Sequence, residues 1–372
     1  MFFLSAFSHR CRVSLLLSAV LAACTPAAQA AETPAPAAKP DERPGDWVPL
    51  HKDGTPWKHE GTDLRFPQSL GGFSLRTIFK DKRAGAGIDL RYVNEKDAMK
   101  ADVVVFPCSE DLGKVTDVMA FVHGEHEKLV SDLQAVSKGQ GYAEVKHGTI
   151  EDRGLRTWQG DVPMTVQTFE FGPVDPSQAA AHPNISQWLG LVLYQDHFVQ
   201  MSIVRPAASG TEGEKLRDEL IKLLLRCVRE PSVVPEMLKL CKTYVDRPLT
   251  KEGRDAADNV LAFSRDSPVF RVIYPGEVLT PALDEVSAVS KDTGLDLLRS
   301  FIVGSGVVAL QNGTADQSLE EGGRLMAQMY NLAKKDNPKI SSALLEELSK
   351  AEEKERGAVF LRTKMAEKPA GK

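Results

Sequence analysis

Residues 188–205 read WLGLVLYQDHFVQMSIVR, and this stretch decides the fold class. Two apolar runs rich in β-branched and aromatic residues, Trp188 to Tyr194 and His197 to Arg205, are typical of strands. Only Gln195 and Asp196 separate them. A two-residue connection joins antiparallel neighbours, whereas parallel strands need a crossover of a dozen residues or more. The stretch therefore predicts a hairpin in an antiparallel sheet.

More strands and two helices flank this hairpin. Residues Ile88, Leu90 and Tyr92 alternate with polar residues, as in a half-buried strand. Apolar residues recur every three or four positions from Val115 to Val136 and from Leu216 to Val228, which predicts two amphipathic helices. The other predicted strands are Phe73 to Phe79, Val103 to Phe106 and Thr165 to Phe171. This order predicts an α+β domain over residues 61–230, an antiparallel sheet with packed helices.

Strand signals nearly disappear after Pro231, so residues 231–366 are predicted to form a mainly α-helical domain. Thr250 is a candidate N-cap. The pair Thr280-Pro281 predicts a helix start. The N–H groups of a first helical turn have no partner within the helix, so proline, which has no N–H, fits there. Ser318 and Glu321 have the spacing of a capping box, which predicts another helix start.

The segment Val303-Gly304-Ser305-Gly306-Val307 has two interpretations. One is a nucleophile turn or a phosphate-binding turn, but the spacing GxSxG is absent here and the chain has no GxxxxGK[ST]. The other is close helix packing. Because Phe301 to Leu310 is apolar around these glycines, we expect a buried helix that packs closely against a neighbour.

The N-terminus has the organisation of an export signal. Residues 1–12 contain Arg10 and Arg12 and no acid, and an apolar run extends from Val13 to Ala23. Eleven helical residues span about 16 Å, roughly half the hydrocarbon core of a bilayer, which is too short for a permanent membrane anchor. We therefore predict a signal peptide over residues 1–23.

Two processing sites compete after this run. The segment Leu21-Ala22-Ala23-Cys24 resembles the lipobox of bacterial lipoproteins. That resemblance implies cleavage before Cys24, diacylation of its thiol and, with Thr25 rather than Asp next to it, the periplasmic face of the outer membrane. The segment Ala28-Gln29-Ala30 fits ordinary signal peptidase equally well, and cleavage after Ala30 gives a soluble periplasmic or secreted protein.

Residues 24–60 are predicted to contain the lipidated Cys24, a tether and an N-terminal arm. The tether is rich in Ala and Pro up to Pro44 and has almost no large apolar residue, so it cannot fold on its own. Four aromatic residues cluster in the arm: Trp47, His51, Trp57 and His59. One interpretation is that they stack on a sugar or clamp a partner, and the other is that they hold the arm against the domain.

Composition and charge exclude several classes of protein. The chain has 372 residues, of which 42% are hydrophobic and 26% charged, which excludes disorder throughout, collagen and a polytopic membrane protein. The formal net charge is −5 and becomes −7 without residues 1–23, which carry two arginines and no acid. No run rich in Lys and Arg has interleaved aromatics, so we expect no nucleic-acid partner.

Three cysteines follow the predicted tether. Cys227 and Cys241 lie in consecutive predicted helices and are candidates for a disulfide in an oxidising envelope. The alternative is that both, and Cys108, are small buried hydrophobic residues. No two cysteines form a CxxC pair, so the sequence predicts neither a thioredoxin-like site nor a zinc ribbon.

The segment His123-Gly124-Glu125-His126-Glu127 is the densest cluster of metal-ligand residue types. The spacing of His123 and His126 on a helix allows both to bind one metal ion. The cluster matches neither HExxH nor HxxEH, and His126 falls on the apolar stripe between Val122 and Leu129. The alternative is therefore a histidine at the core edge with one hydrogen-bond partner.

The sequence contains no catalytic motif and indicates no cofactor. We expect a non-enzymatic cell-envelope protein, attached to the membrane through Cys24, that binds an envelope protein or a glycan. The alternative is a periplasmic hydrolase whose catalytic residues come together from distant loops. Such a site would be a pocket lined by at least two titratable groups with displaced pKa values.

Overall fold

The computed structural model describes residues 45–51, 54–82, 87–157, 160–180, 182–270, 272, 274–311 and 315–367. The predicted signal peptide, both cleavage sites, Cys24 and the tether lie outside the described residues. The chain divides into two compact units. Among the described residues, the sheet unit comprises 45–51 and 56–229, and the helical unit comprises 54–55 and the residues from Glu230 onwards.

Ten strands of the sheet unit form one sheet, and every neighbouring pair is antiparallel. They are β1 (Gly45–Trp47), β4 (Ser69–Leu70), β5 (Phe73–Asp81), β6 (Ile88–Asn94), β7 (Met99–Pro107), β8 (Tyr142–His147), β9 (Glu151–Thr157), β10 (Gly160–Pro173), β11 (Ile185–Tyr194) and β12 (His197–Pro206). The order is β1-β5-β6-β7-β12-β11-β10-β8, with β4 also paired to β5 and β9 to β10. The predicted antiparallel sheet is confirmed.

The hairpin predicted from residues 188–205 forms strands β11 and β12. Their register runs from Ile185 opposite Pro206 to Tyr194 opposite His197, so Gln195 and Asp196 alone make the turn. Gln195 adopts a φ of 56°, the left-handed conformation that such tight turns require. Strand β12 also pairs with β7, which places the hairpin in the middle of the sheet.

Helix α1 (Val118–Gly139) packs on one face of the sheet. It begins three residues after the predicted start because Asp117 caps it, accepting a hydrogen bond from the Ala120 N–H at 2.9 Å. Its apolar stripe is buried with large side chains of the central strands in one core, which includes Val122, Leu129, Leu133, Phe169, Phe171, Leu189, Leu191 and Phe198.

Helix α2 (Gly210–Arg229) packs against strands of the same sheet unit through Leu220, Leu224 and Val228, which are all buried. A small two-stranded sheet of β2 (Trp57–Lys58) and β3 (Arg65–Phe66) lies beside this helix. Burial of apolar surface on both faces stabilises the sheet at about 25 cal/mol per Å².

The described residues of the helical unit form seven α-helices, a short 3-10 helix at Glu230–Val233 and no strand. The α-helices are α3 (Val234–Asp246), α4 (Lys251–Asp266), α5 (Gly276–Val289), α6 (Lys291–Leu310), α7 (Ala315–Asp336), α8 (Ala343–Glu352) and α9 (Gly357–Glu367). Together with the antiparallel sheet, this confirms the predicted fold class, α+β followed by a mainly helical region. Thr250 caps α4 as predicted: its Oγ1 accepts a hydrogen bond from the Gly253 N–H at 3.1 Å.

Helix α6 is the one helix within the described ranges that is long and apolar enough to cross a membrane. Of its most apolar window of 18 residues, 67% is buried inside the structure, as in the core helix of a globular unit. Gly304 confirms the predicted close packing: a Cβ there would lie 2.4 Å from the backbone oxygen of Glu321 on α7.

Two predicted helix starts are wrong. Helix α5 begins at Gly276, five residues before Pro281, because the N–H groups of Val278 and Leu279 both donate to the Pro275 carbonyl at 3.0 Å. The side chains of Val278 and Leu279 are buried, so packing extends the helix ahead of the proline. Helix α7 begins before Ser318, whose hydroxyl bonds to α6 instead of capping.

Candidate functional site

Two histidines far apart in the sequence meet in the sheet unit. His59 follows β2, and His197 begins β12 after the hairpin turn. Their ring centroids lie 5.2 Å apart and the ring planes make an angle of 75°. We call His59 and His197 the histidine pair.

A tight loop between β2 and β3 positions His59. Its N–H donates to the Leu64 carbonyl at 3.0 Å, and its Nδ1 lies 3.0 Å from the Oγ1 of Thr62. The same Oγ1 accepts the Leu64 N–H at 3.2 Å, and its second lone pair can accept an N–H from Nδ1 of His59. The loop therefore fixes the ring orientation of His59 through its Nδ1 edge.

The hairpin turn positions His197. Its Nδ1 lies 2.7 Å from the Oδ1 of Asp196, and this hydrogen bond lowers the pKa of the Asp196 carboxyl below its usual value. The side chain of His197 is 12% exposed, while that of Asp196 is 76% exposed. A carboxylate on Nδ1 selects the tautomer that leaves the Nε2 lone pair available.

Gly61 lies between the two rings. A Cβ at this position would be 3.1 Å from Nε2 of His197 and 3.2 Å from Cε1 of His59. Those contacts are tighter than ordinary van der Waals distances, so any other residue here would press on both imidazoles. Because Gly61 has no side chain, space remains beside Nε2 of His197 and Cε1 of His59.

The surroundings of His59 favour its neutral imidazole. Burial, with a smaller contribution from the neighbouring His197, lowers the pKa of His59 to about 4. Glu60, next to His59, forms a 2.5 Å ion pair with Lys80 on β5. Tyr194 donates a hydrogen bond to Asp63 at 2.8 Å, which ties the loop of His59 to the hairpin.

The predicted metal-ligand cluster on α1 is divided between separate partners. His123 Nδ1 lies 2.8 Å from Asp152 on β9, while His126 is fully buried with its Nδ1 2.8 Å from the Thr165 hydroxyl on β10. Burial lowers the pKa of His126 to about 4. No group of three His, Cys, Asp or Glu side chains suited to a metal ion occurs among the described residues. The arrangement of His126 matches the alternative of a core histidine with a hydrogen-bond partner.

The candidate disulfide is not formed in the part of the chain that the structure describes. Cys227 lies on α2 in the sheet unit and Cys241 on α3 in the helical unit, and both side chains are buried. Burial raises the pKa of the Cys241 thiol to about 12, so this thiol is not ionised at neutral pH. The structure thus presents them as small buried side chains, the alternative that the sequence left open.

Five large aliphatic side chains are exposed at one end of the helical unit. We call them the apolar end: Val245, Leu249, Val289, Leu295 and Leu332, with exposed fractions from 41% to 50%. Val245 and Leu249 end or follow α3, whose Tyr244 hydroxyl donates to the Asp296 carbonyl near the start of α6. Val289 and Leu295 flank Ser290, the N-cap of α6.

Leu332 belongs to the same end because α6 and α7 are antiparallel. Ser305 lies against Ser318, so the last turns of α7 run back to the level of the first turns of α6. A cleft of about 600 Å³ between α5 and α6 includes Leu295 of the apolar end, together with Tyr274 and Leu298.

Sequence reasoning found parts of these two sites. It marked His59 in the aromatic arm and located the turn before His197, but nothing in the sequence joins positions 138 residues apart. A carboxylate followed by a histidine in a tight turn, Asp196-His197, is the local signal that was present. The apolar end has no sequence signal, since its five residues come from four helical segments.

No family model matches this chain, and no curated protein matches it. Solved structures with similarity include a Pseudomonas aeruginosa protein of unknown function described as a putative regulator. It has 12% identity and a TM-score of 0.21, over 45% of this chain and 92% of that one. Another is the cyanobacterial PsbP (CyanoP) of Synechocystis, at 14% identity and a TM-score of 0.26, over 50% of this chain and 95% of that one.

Proposed function

We propose that this chain is an exported lipoprotein of the bacterial cell envelope. The lipobox-like segment ending at Cys24 follows a signal-type apolar run, and a Pro-rich stretch separates Cys24 from Gly45, where β1 begins. Acyl chains on Cys24 would hold the protein at the periplasmic face of the outer membrane without a spanning helix. Cleavage after Ala30, giving a soluble periplasmic protein, is the competing proposal.

Palmitate labelling in intact cells tests the anchor. The wild-type chain and Cys24→Ser are compared, with Cys11→Ser as the matched control inside the predicted signal. We expect label on the wild type and on Cys11→Ser and none on Cys24→Ser. Equal labelling of all three, or none on any, would reject lipidation at Cys24 and favour cleavage after Ala30.

We further propose that the protein is a binding protein whose helical unit contacts another envelope protein through the apolar end. The observation that carries this proposal is the grouping of Val245, Leu249, Val289, Leu295 and Leu332 at one end, all more than two-fifths exposed. Several large apolar side chains exposed at one end of a unit favour an interaction surface there.

The surroundings of the apolar end favour a protein partner. The charged residues beside it are exposed and balanced in sign: Lys251, Glu252, Lys291, Asp292, Lys335 and Asp336. A mixed polar rim around an apolar centre is typical of protein–protein interfaces. An anionic bilayer would favour an excess of cations, and a glycan would favour aromatic platforms and hydrogen-bonding groups.

Site-specific photo-crosslinking in intact cells tests this surface. A crosslinking residue at Leu295, near the start of α6, is compared with one at Gln311, the exposed C-cap at the opposite end of the same helix. We expect one discrete protein adduct from position 295 that Leu332→Asp abolishes, and none from position 311. Adducts to lipid alone, or equal adducts from both positions, would reject a protein partner at the apolar end.

A further inference from the structure

We infer that His59 and His197 bind one divalent transition-metal ion of the kind that prefers imidazole, such as Zn²⁺ or Cu²⁺. The site lies in the sheet unit, and it is independent of the lipid anchor and of the apolar end. No catalytic role for the ion is implied.

The hydrogen bonding of the two rings suits a shared metal ion. Each ring has its Nδ1 engaged, with Thr62 for His59 and with Asp196 for His197. Neither Nε2 makes a hydrogen bond to any described residue. A metal-binding histidine usually has this arrangement, one nitrogen on the metal and the other held by a carboxylate, hydroxyl or carbonyl.

The distance between the two rings also suits a shared metal ion. Two imidazoles that bind one ion at metal–nitrogen distances of about 2.0–2.1 Å with tetrahedral angles have ring centroids about 5 Å apart. The centroids of His59 and His197 are separated by 5.2 Å. The separation of the two rings therefore matches the separation expected when both bind one ion.

Gly61 leaves space beside both rings. It has no side chain, and a Cβ there would approach Nε2 of His197 to 3.1 Å and Cε1 of His59 to 3.2 Å. An ion can therefore occupy the edge of the His197 ring that a side chain would fill.

The protein supplies two ligands to this ion. The described residues contain no third His, Cys, Asp or Glu grouped with the pair in ligand geometry, so water or an added ligand would complete the coordination. Glu60 is the nearest flexible carboxylate along the chain, with its side chain 77% exposed and paired to Lys80. Affinity should accordingly be weaker than for a closed structural site with four protein ligands.

Metal titration tests the inference on the full chain carrying Cys24→Ser, purified without a histidine tag. Zn²⁺ binding is followed by calorimetry. Cu²⁺ binding is followed by tryptophan fluorescence, because Trp57 lies 6.0 Å from His59 between ring centroids and a bound Cu²⁺ would quench it. We expect one ion per chain, and at least a tenfold weaker affinity in His59→Gln and in His197→Gln.

Matched variants separate this site from other histidines. Asp196→Asn should weaken binding about tenfold, since loss of a partner on the other ring nitrogen costs 10- to 100-fold in affinity. His147→Gln, at an exposed histidine, and His123→Gln should leave binding unchanged. Equal affinity in the wild type and His59→Gln, with both folded by circular dichroism, would overturn the inference, and loss of binding in His123→Gln would place the ion on α1.

Discussion

Ser305 and Ser318 exchange hydrogen bonds across the contact between α6 and α7. The hydroxyl of Ser305 donates to the Ser318 carbonyl at 2.9 Å, and the hydroxyl of Ser318 donates to the Ser305 carbonyl at 3.3 Å. Both side chains are buried, and each hydroxyl has its hydrogen-bond partner on the backbone of the opposite helix. This pairing brings the two helix backbones together at Gly304.

Gly304→Ala is expected to destabilise the protein, whereas Gly306→Ala should not. A Cβ at Gly304 would lie 2.4 Å from the Glu321 oxygen, a backbone atom that cannot move alone, while at Gly306 the nearest atom is Val260 Cγ1 at 3.4 Å. Overpacking of this kind costs about 1–3 kcal/mol. Alanine at Gly306 should instead gain up to about 1 kcal/mol of helix propensity. Urea unfolding of the two variants measures the difference, and equal destabilisation of both would contradict it.

Asp296→Ala is expected to destabilise the helical unit by about 1.5–3 kcal/mol, because it removes the carboxylate of Arg254 and one of the two carboxylates that pair with Arg299. Asp296 is 2% exposed and accepts from Arg254 at 2.6 and 3.0 Å and from Arg299 at 2.9 Å. Asp258→Ala is the control, since Asp258 also pairs with Arg299 but is half exposed. It should cost less than about 1 kcal/mol in the same unfolding assay. An equal loss in the free energy of unfolding for the two variants would show that burial of the carboxylate does not determine its contribution to stability.

The fold was predictable from sequence where local signals and tertiary packing agree. The hairpin of β11 and β12 has two almost continuously buried strands, strand-forming residues and a two-residue turn, and all three features predict the same pairing. The predicted helix starts at Pro281 and Ser318 are wrong because tertiary packing, and not the local sequence, sets where these helices begin. Buried Val278 and Leu279 extend α5 ahead of the proline, and the hydroxyl of Ser318 finds a carbonyl on a neighbouring helix.

The candidate sites were less predictable because they depend on contacts between distant segments. His123 and His126 are neighbours on one helix, so sequence spacing singled them out, yet they contact different strands. His59 and His197 have no such spacing. Their approach depends on the pairing of β2 with β3 and on the position of the hairpin turn, which only the folded sheet unit supplies.

The buried His126 should make the protein less stable as the pH falls from about 6.5 to about 4. Its pKa is lowered to about 4 in the native state, so below pH 6.5 the unfolded chain binds a proton that the folded chain does not. Between pH 7.5 and pH 5 this single residue would remove about 2 kcal/mol. The variant His126→Gln should lose that part of the pH dependence, while His147→Gln, at an exposed position, should retain it. Identical pH profiles for wild type and His126→Gln, by urea unfolding, would refute this origin.

Glu352 should produce a pH dependence of the opposite sign. Burial raises the pKa of its carboxyl to about 7, with Glu320 adding to the effect. Its Oε1 is buried under the start of α9, where a Cβ at Gly357 would overlap it at 1.5 Å. Because the folded state holds the proton more tightly than the unfolded chain, stability is highest below pH 4.5 and is lost as the pH rises through 7.

Glu352→Gln is therefore expected to raise the free energy of unfolding at pH 8 by roughly 2 kcal/mol and to change it little at pH 5. The amide keeps the shape of the protonated carboxyl and removes the charge that must be buried above pH 7. Glu353→Gln, at the next and exposed residue, controls for a general effect of net charge and should leave both values unchanged. Stabilisation by Glu352→Gln that is equal at pH 5 and pH 8 would exclude titration of this carboxyl as the cause.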